Sequence, residues 1–137
     1  MEKVFVDTSG WVALFVENDA NHKKAVSIFE KLKSSKAALY TSDYVIDETI
    51  TTILVRGNHK QSIVAGDALF NSEIIKNIYV APEYLESAWE LYQKYKDKEF
   101  SFTDVTSFAI VKKLDMKRVF SFDSDFKQVR IELVECD

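Results

Sequence analysis

Four carboxylates stand where they could act together. Asp7 follows the apolar run Val4-Phe5-Val6, and Asp123 follows Val119-Phe120-Ser121-Phe122. Asp104 opens a helical stretch after Ser101-Phe102-Thr103, and Glu48 lies one turn inside another helix, off its apolar stripe. Singly, each has an ordinary reading: an acid after a strand is often a turn residue or helix cap, and an acid in a first helical turn complements the helix dipole. Together they describe a chemistry. The apolar flanks of Asp7, Asp104 and Asp123 set these acids beside buried structure. Carboxylates brought close repel one another and raise each other's pKa values unless a cation compensates. Hard oxygen ligands with few histidines favour Mg2+ or Mn2+ over zinc. Such a cluster can polarise a phosphodiester and generate hydroxide from water.

The elements that must position these acids follow from periodicity. Val4-Phe5-Val6 reads as a buried strand, and 11–16 as a short helix. Asn21 is expected to cap a helix to about residue 33, with Ala25, Ile28, Phe29 and Leu32 on one stripe. A strand over 37–41 leads to a helix capped by Ser42 or Asp43, with stripe Ile46, Ile50, Ile53 and Leu54, stopped at Gly57-Asn58. A helix over about 60–72, a strand within 74–80 and an amphipathic helix marked by Leu85, Ala88, Leu91, Tyr92 and Tyr95 come next. A helix from Asp104 to about Leu114, a strand over 118–122 and a last strand over 131–134 close the chain. This βααβααβααβ-like order predicts an α/β fold with a central, mostly parallel sheet flanked by helices on both faces. In such sheets, sites form where loops leave the carboxyl ends of the strands, which is where Asp7 and Asp123 fall.

Composition bounds the class. The 137 residues suit one domain, residues 1–137, and 47% apolar with 29% charged content is ordinary globular composition. A single cysteine, Cys136, excludes an internal disulfide or a cysteine-based zinc site. No apolar run approaches the roughly 18 residues that cross a bilayer, and Asp7 interrupts the N-terminal apolar run at once, so no membrane, no signal peptide and a cytoplasmic location are expected. The net charge of −4 argues against simple coating of nucleic acid. The basic residues are nonetheless grouped: 22–60 carries seven basic against four acidic residues, and 112–118 four against one. Two such stretches could form one phosphate-attracting surface, or simply solvated helix faces.

The segments around the acids resemble the PIN-domain nucleases, and within them the VapC-type toxins of prokaryotic toxin–antitoxin pairs. The similarity runs through Val6-Asp7-Thr8-Ser9-Gly10-Trp11-Val12-Ala13-Leu14-Phe15, Thr41-Ser42-Asp43-Tyr44-Val45-Ile46-Asp47-Glu48-Thr49, Phe100-Ser101-Phe102-Thr103-Asp104-Val105-Thr106-Ser107-Phe108-Ala109 and Val119-Phe120-Ser121-Phe122-Asp123-Ser124-Asp125-Phe126, in the family's order. The resemblance implies a metal-dependent endoribonuclease, with Asp7, Glu48, Asp104 and Asp123 as catalytic, metal-binding acids for Mg2+ or Mn2+. It sets Ser9 and Thr103 on hydroxyl positions beside the acids, and Asp125 could share or replace the role of Asp123. Asp43 and Asp47 look like cap and surface residues. It also implies an RNA substrate, a homodimer and a small VapB-type antitoxin that inserts a segment near the acids.

Rival readings lack their signatures. A haloacid-dehalogenase phosphatase needs a second Asp where Ser9 stands, and an Asp-x-Ser-x-Ser adhesion site meets Trp11 at its third position. Gly10, Gly57 and Gly66 do not cluster as a phosphate loop requires. His22 and His59 are far apart and read as surface residues. The alternatives that remain are a PIN-like module that binds RNA or protein without cutting, and a housekeeping RNA-processing nuclease. Phe100, Phe102, Phe108, Phe120 and Phe122 read as core around the site; Trp11 could stack on a base or serve packing or a dimer.

Overall fold

Val4, Phe5 and Val6 are all fully buried in strand β1 (Lys3–Val6). Successive side chains of a strand point to opposite faces, so both faces of the sheet are covered at this point. The structure, a computed structural model, describes residues 1–135; Cys136 lies outside the described residues. After β1 come α1 (Thr8–Phe15), α2 (His22–Ser34), β2 (Ala38–Ser42), α3 (Asp43–Arg56), α4 (His59–Asn71), β3 (Ile75–Ile78), α5 (Pro82–Lys94), α6 (Phe102–Lys113), β4 (Arg118–Phe120), α7 (Asp125–Gln128) and β5 (Glu132–Leu133). The sheet order is β3-β2-β1-β4-β5, and every pairing is parallel. The expected parallel α/β architecture is the observed one.

This order locates the crevice. From β1 the chain steps outward through β2 to β3, then crosses back to add β4 and β5 on the other side. The reversal makes the β1/β4 boundary a topological switch point, where connections diverge above the carboxyl ends of the strands. Register sets the neighbours there: Val6 pairs with Phe120, and the Asp7 amide donates to the Phe120 carbonyl at 3.0 Å. Gly10 lets α1 settle onto this junction. A Cβ at that position would lie 2.8 Å from the Phe120 carbonyl oxygen and 3.2 Å from its ring.

The core explains why α6 holds its place. Phe108 meets Phe100 and Phe126 edge-on at 5.1 and 5.2 Å, tying the helix to the loop before it and to α7. Favourable edge-to-face geometry adds to the burial of these rings. Trp11 is fully buried, and its indole donates to the Thr41 hydroxyl at 3.0 Å, which donates to the Val6 carbonyl at 3.0 Å. Trp11 is therefore core and cannot stack on a base.

Some local expectations are corrected. A one-turn helix of four residues, α7, intervenes between β4 and β5, anchored by the fully buried Phe126. Leu54 and Tyr92 are 45% and 42% exposed, so both apolar stripes are narrower than periodicity suggests. Asn21 precedes α2 without a side-chain cap; its own amide donates instead to Asp19 Oδ1 at 2.8 Å. Ser42 caps α3 through the Val45 amide, while Asp43 accepts from the Val80 amide at 2.8 Å, which ties α3 to the strand-to-helix turn after β3.

Candidate active site

Asp7 reaches the crevice because β1 ends there and α1 begins at the next residue. Asp104 reaches it from the first turn of α6, held by a reciprocal cap. The Asp104 amide donates to Ser101 Oγ at 3.1 Å, and the Ser101 amide donates to Asp104 Oδ2 at 3.3 Å. Asp123 follows the end of β4. Its amide donates to Ser121 Oγ at 3.0 Å, and its Oδ1 accepts from the Asp125 amide at 2.9 Å. Three remote segments thus deliver carboxylate oxygens that lie within 4.8 Å of one another. Glu48, from the second turn of α3, lines the same cleft of about 440 Å³, although its carboxylate is not part of that tight set.

Electrostatics make this grouping costly without a cation. Burial pushes the Asp7 carboxyl up to about 6; hydrogen bonds from the Thr8 amide and Ser121 oppose that, while the charges of Glu48 and Asp123 add to it. Burial pushes Asp104 up to about 7, with further contributions from Asp7, Asp123 and Glu48. Asp7 Oδ1 is buried with no hydrogen-bond donor. A buried carboxylate oxygen without a partner carries a desolvation penalty. A divalent cation removes both the penalty and the mutual repulsion, so the donor set fits an oxygen-preferring ion.

Hydroxyls complete the first carboxylate. Ser121 Oγ donates to Asp7 Oδ2 at 3.0 Å. Ser9 Oγ lies 2.9 Å from Ser121 Oγ and 3.3 Å from Asp7 Oδ2, and accepts from the Phe122 amide at 2.9 Å. Ser9 therefore stands beside the acids as its position suggested. Ser121 had no sequence signal beyond a small polar residue between Phe120 and Phe122; only the β1–β4 register sets it against Asp7. Thr103 does not line the cleft: its carbonyl accepts the Thr106 and Ser107 hydroxyls, and Ser101 is the hydroxyl residue of α6's start that does. Asp125 also lies outside the lining, with its Oδ1 accepting from the Gln128 side chain at 3.1 Å. Phe122, read as core, is half-buried and forms part of the cleft wall.

The basic stretches separate. Arg56 lines the cleft, paired with Asp19 at 3.1 Å. Lys112 and Lys113 close the last turn of α6, about 12 Å along the helix from Asp104 at 1.5 Å per residue. Arg118 begins β4 and grips Glu2 through two bonds of 2.6 and 2.7 Å. The 112–118 group is thus remote from the acids.

Known proteins share this fold. The PIN-domain family matches residues 4–132. The 23S rRNA-specific endonuclease VapC20 of Mycobacterium tuberculosis is 34% identical over 123 residues, spanning 90% of this chain and 91% of that protein. Its crystal structure, described as a Sarcin-Ricin loop cleaving toxin, superposes with a TM-score of 0.84 at 32% identity, over 93% of this chain and 95% of that one. Ribonuclease VapC1 of Aquifex aeolicus is 31% identical over 136 residues, covering 97% and 90%. A toxin–antitoxin complex from Klebsiella pneumoniae shares the fold, with a TM-score of 0.66 at 15% identity over 98% of each chain.

Proposed function

The chain belongs to the PIN-domain family as a VapC-type member, and from that premise we propose that it is a metal-dependent endoribonuclease acting in the cleft of Asp7, Glu48, Asp104 and Asp123. The observation that carries this reading is the convergence of Asp7, Asp104 and Asp123 at the switch point, with one Asp7 oxygen buried and unpartnered. These three acids would hold the ion, Mg2+ or Mn2+, with Glu48 of α3 on the same cleft wall. A divalent cation in such a site supplies Lewis-acid stabilisation of charge on the phosphate and hydroxide near neutral pH.

The chain's own groups orient the reaction. Ser121 and Ser9 fix the rotamer of Asp7. The Ser101 cap fixes Asp104, and the Asp125 amide fixes Asp123. Asp125 thus acts through its backbone on the neighbouring acid. Arg56 borders the cleft wall with its guanidinium already paired to Asp19. Ribosomal RNA is the first substrate to test, because the 34%-identical relative is named for 23S rRNA. The biological role is that of a toxin, working in the cytoplasm as a homodimer until a small VapB-type antitoxin covers the cleft. A cationic antitoxin side chain facing metal-free carboxylates would satisfy the same charge that the ion does. A housekeeping nuclease would share the chemistry and lack that partner.

Cleavage of total RNA, with Mg2+ or Mn2+ and with EDTA, tests the reaction beside Asp7→Asn and Asp104→Asn. Cutting is expected from the native protein alone, and only with metal. Fragment ends mapped by sequencing then define the target. Absence of cutting by folded, antitoxin-free protein on both ribosomal and bulk RNA would leave a binding module. Growth arrest on expression, relieved by Asp104→Asn, tests the toxin role.

A further inference from the structure

RNA brings phosphates on either side of the scissile bond to a chain of net charge −4, against a cleft walled by acids. Arg56 is the cationic residue that lines the cleft among the described residues, and Asp19 already matches its charge at 3.1 Å. Attraction for the neighbouring phosphates must come from elsewhere.

A second cavity, of about 230 Å³, adjoins the cleft and shares Phe122 with it. Ser121, whose hydroxyl donates to Asp7, lies on its wall. Lys24 of α2 and Lys127 of α7 both line it, and neither forms an ion pair among the described residues. Glu135 is also on the lining, so among the described residues the lining carries two cations against one acid. The position of Lys24 is informative in itself. It lies in the first turn of a 13-residue helix that has no acid there, and Lys23 precedes it. Cations at a helix N-terminus oppose the macrodipole, whereas an anion is favoured at that end. At that end the Asp19 carboxylate accepts from the Asn21 amide and pairs with Arg56, and Lys24 lines the neighbouring cavity together with Lys127. The half-buried Phe122 ring, between the two cavities, offers an apolar surface to a base.

We propose that the cavity between α2 and α7 is an anchoring subsite for substrate RNA, in which Lys24 and Lys127 take a backbone phosphate next to the scissile bond and Phe122 borders the adjoining base. This subsite rests on the nuclease reading of the neighbouring cleft. Lys24 and Lys127 are positioning residues; they do not take part in the chemistry.

The test separates binding from cutting. Affinity for a short fluorescein-labelled single-stranded RNA is measured in EDTA as a function of salt, for the native protein, the Lys24→Gln/Lys127→Gln double variant and a Lys117→Gln control just before the amino end of β4. Melting temperatures check that each folds. Each lost phosphate contact lowers the slope of log affinity against log salt by about 0.7 on single strands, so the double variant, which loses one, should lose about 0.7 and bind about fivefold more weakly near ~0.1 M salt. Lys117→Gln should leave the slope unchanged. In cleavage assays the loss should fall on KM rather than kcat. A slope and KM equal to the native values in the folded double variant, with cutting intact, would overturn the subsite while leaving the nuclease reading in place. The expected slope change in a protein that cuts no RNA would support the subsite as an RNA contact and overturn the nuclease reading. Native protein that neither binds nor cuts overturns both.

Discussion

Strands β1 and β4 lie side by side, and their two ends treat charge in opposite ways. At the amino ends Glu2 and Arg118 face each other and close a two-bond ion pair of 2.6 and 2.7 Å. The Arg118 hydrogen bond holds the Glu2 carboxyl below its usual range. At the carboxyl ends Asp7 and Asp123 face each other with Asp104 beside them, like charge against like charge, and burial raises Asp7 and Asp104 to about 6 and about 7. One end is complete within the chain. The other is complete only with a cation, whether an ion or a partner's basic side chain. The difference teaches where to look for function: a folded chain matches its charges where structure alone is at stake, and leaves them unmatched where a ligand completes the site.

The largest effect that would break this contrast is on cleavage. Asp7→Asn or Asp104→Asn should lower the rate by on the order of 10^3-fold or more, because in the proposed site each removes a charged ligand of an ion worth several kcal/mol to the transition state. Glu2→Gln should leave the rate unaltered. Added Mn2+ should raise the melting temperature of the native protein and not that of Asp104→Asn, since only a bound ligand stabilises the folded state. An equal Mn2+ shift in both proteins would mean the ion binds elsewhere.

Next in size is the junction itself. Gly10→Ala sets a methyl 2.8 Å from the Phe120 carbonyl, so α1 must lift from β4. Overpacking of this kind costs about 1–3 kcal/mol. Urea unfolding should show it, and cleavage should fall as well because Asp7 and Ser121 lose their register. Retained stability together with full activity would show that the α1–β4 contact is slack.

The two ends should also answer pH in opposite senses. Asp7 and Asp104 titrate near 6 and 7 in the folded, metal-free protein but near 4 when unfolded. Between those values the folded state holds more protons, so stability falls as pH rises through that window. Melting in EDTA should therefore drop by about a few degrees from pH 5 to pH 8. Asp104→Asn should flatten the curve and melt above the native protein at pH 8. Glu2 has a lowered folded pKa, so its contribution is present above its unfolded value near 4.5 and is lost as pH falls below it. The smallest effect belongs to that pair. Glu2→Gln should cost about 0.5–1 kcal/mol, because both side chains are about one-third exposed and screened.

Legibility differed between elements for physical reasons. The apolar run at β1 and the 3.6-residue stripe of α2 are local patterns, and both elements formed where the pattern lay. Helix α7 and the two-residue β5 were blurred because elements that short carry no periodicity. Asp7, Asp104 and Asp123 were visible as acids at element ends, and Ser9 only through the family resemblance. Ser121 was not visible, since a serine between two phenylalanines gains meaning only from the strand beside it. Thr103 and Ser101 are two hydroxyls within one turn, and the rotation of α6 decides which of them lines the cleft. The distance of Lys112 and Lys113 from the acids was not legible, because linear charge counting has no direction along a helix.

By itself the sequence determined the alternation of strand and helix, the parallel sheet and the identity of the acids, because backbone periodicity and residue type are local quantities. The tertiary structure alone decided the strand order, and with it the meeting of residues more than a hundred positions apart. Asp7 meets Ser121 and Asp123 because β4 returns to pair with β1 on the side that β2 leaves free. Burial at that junction, not sequence spacing, turns three ordinary carboxylates into a site that calls for a cation.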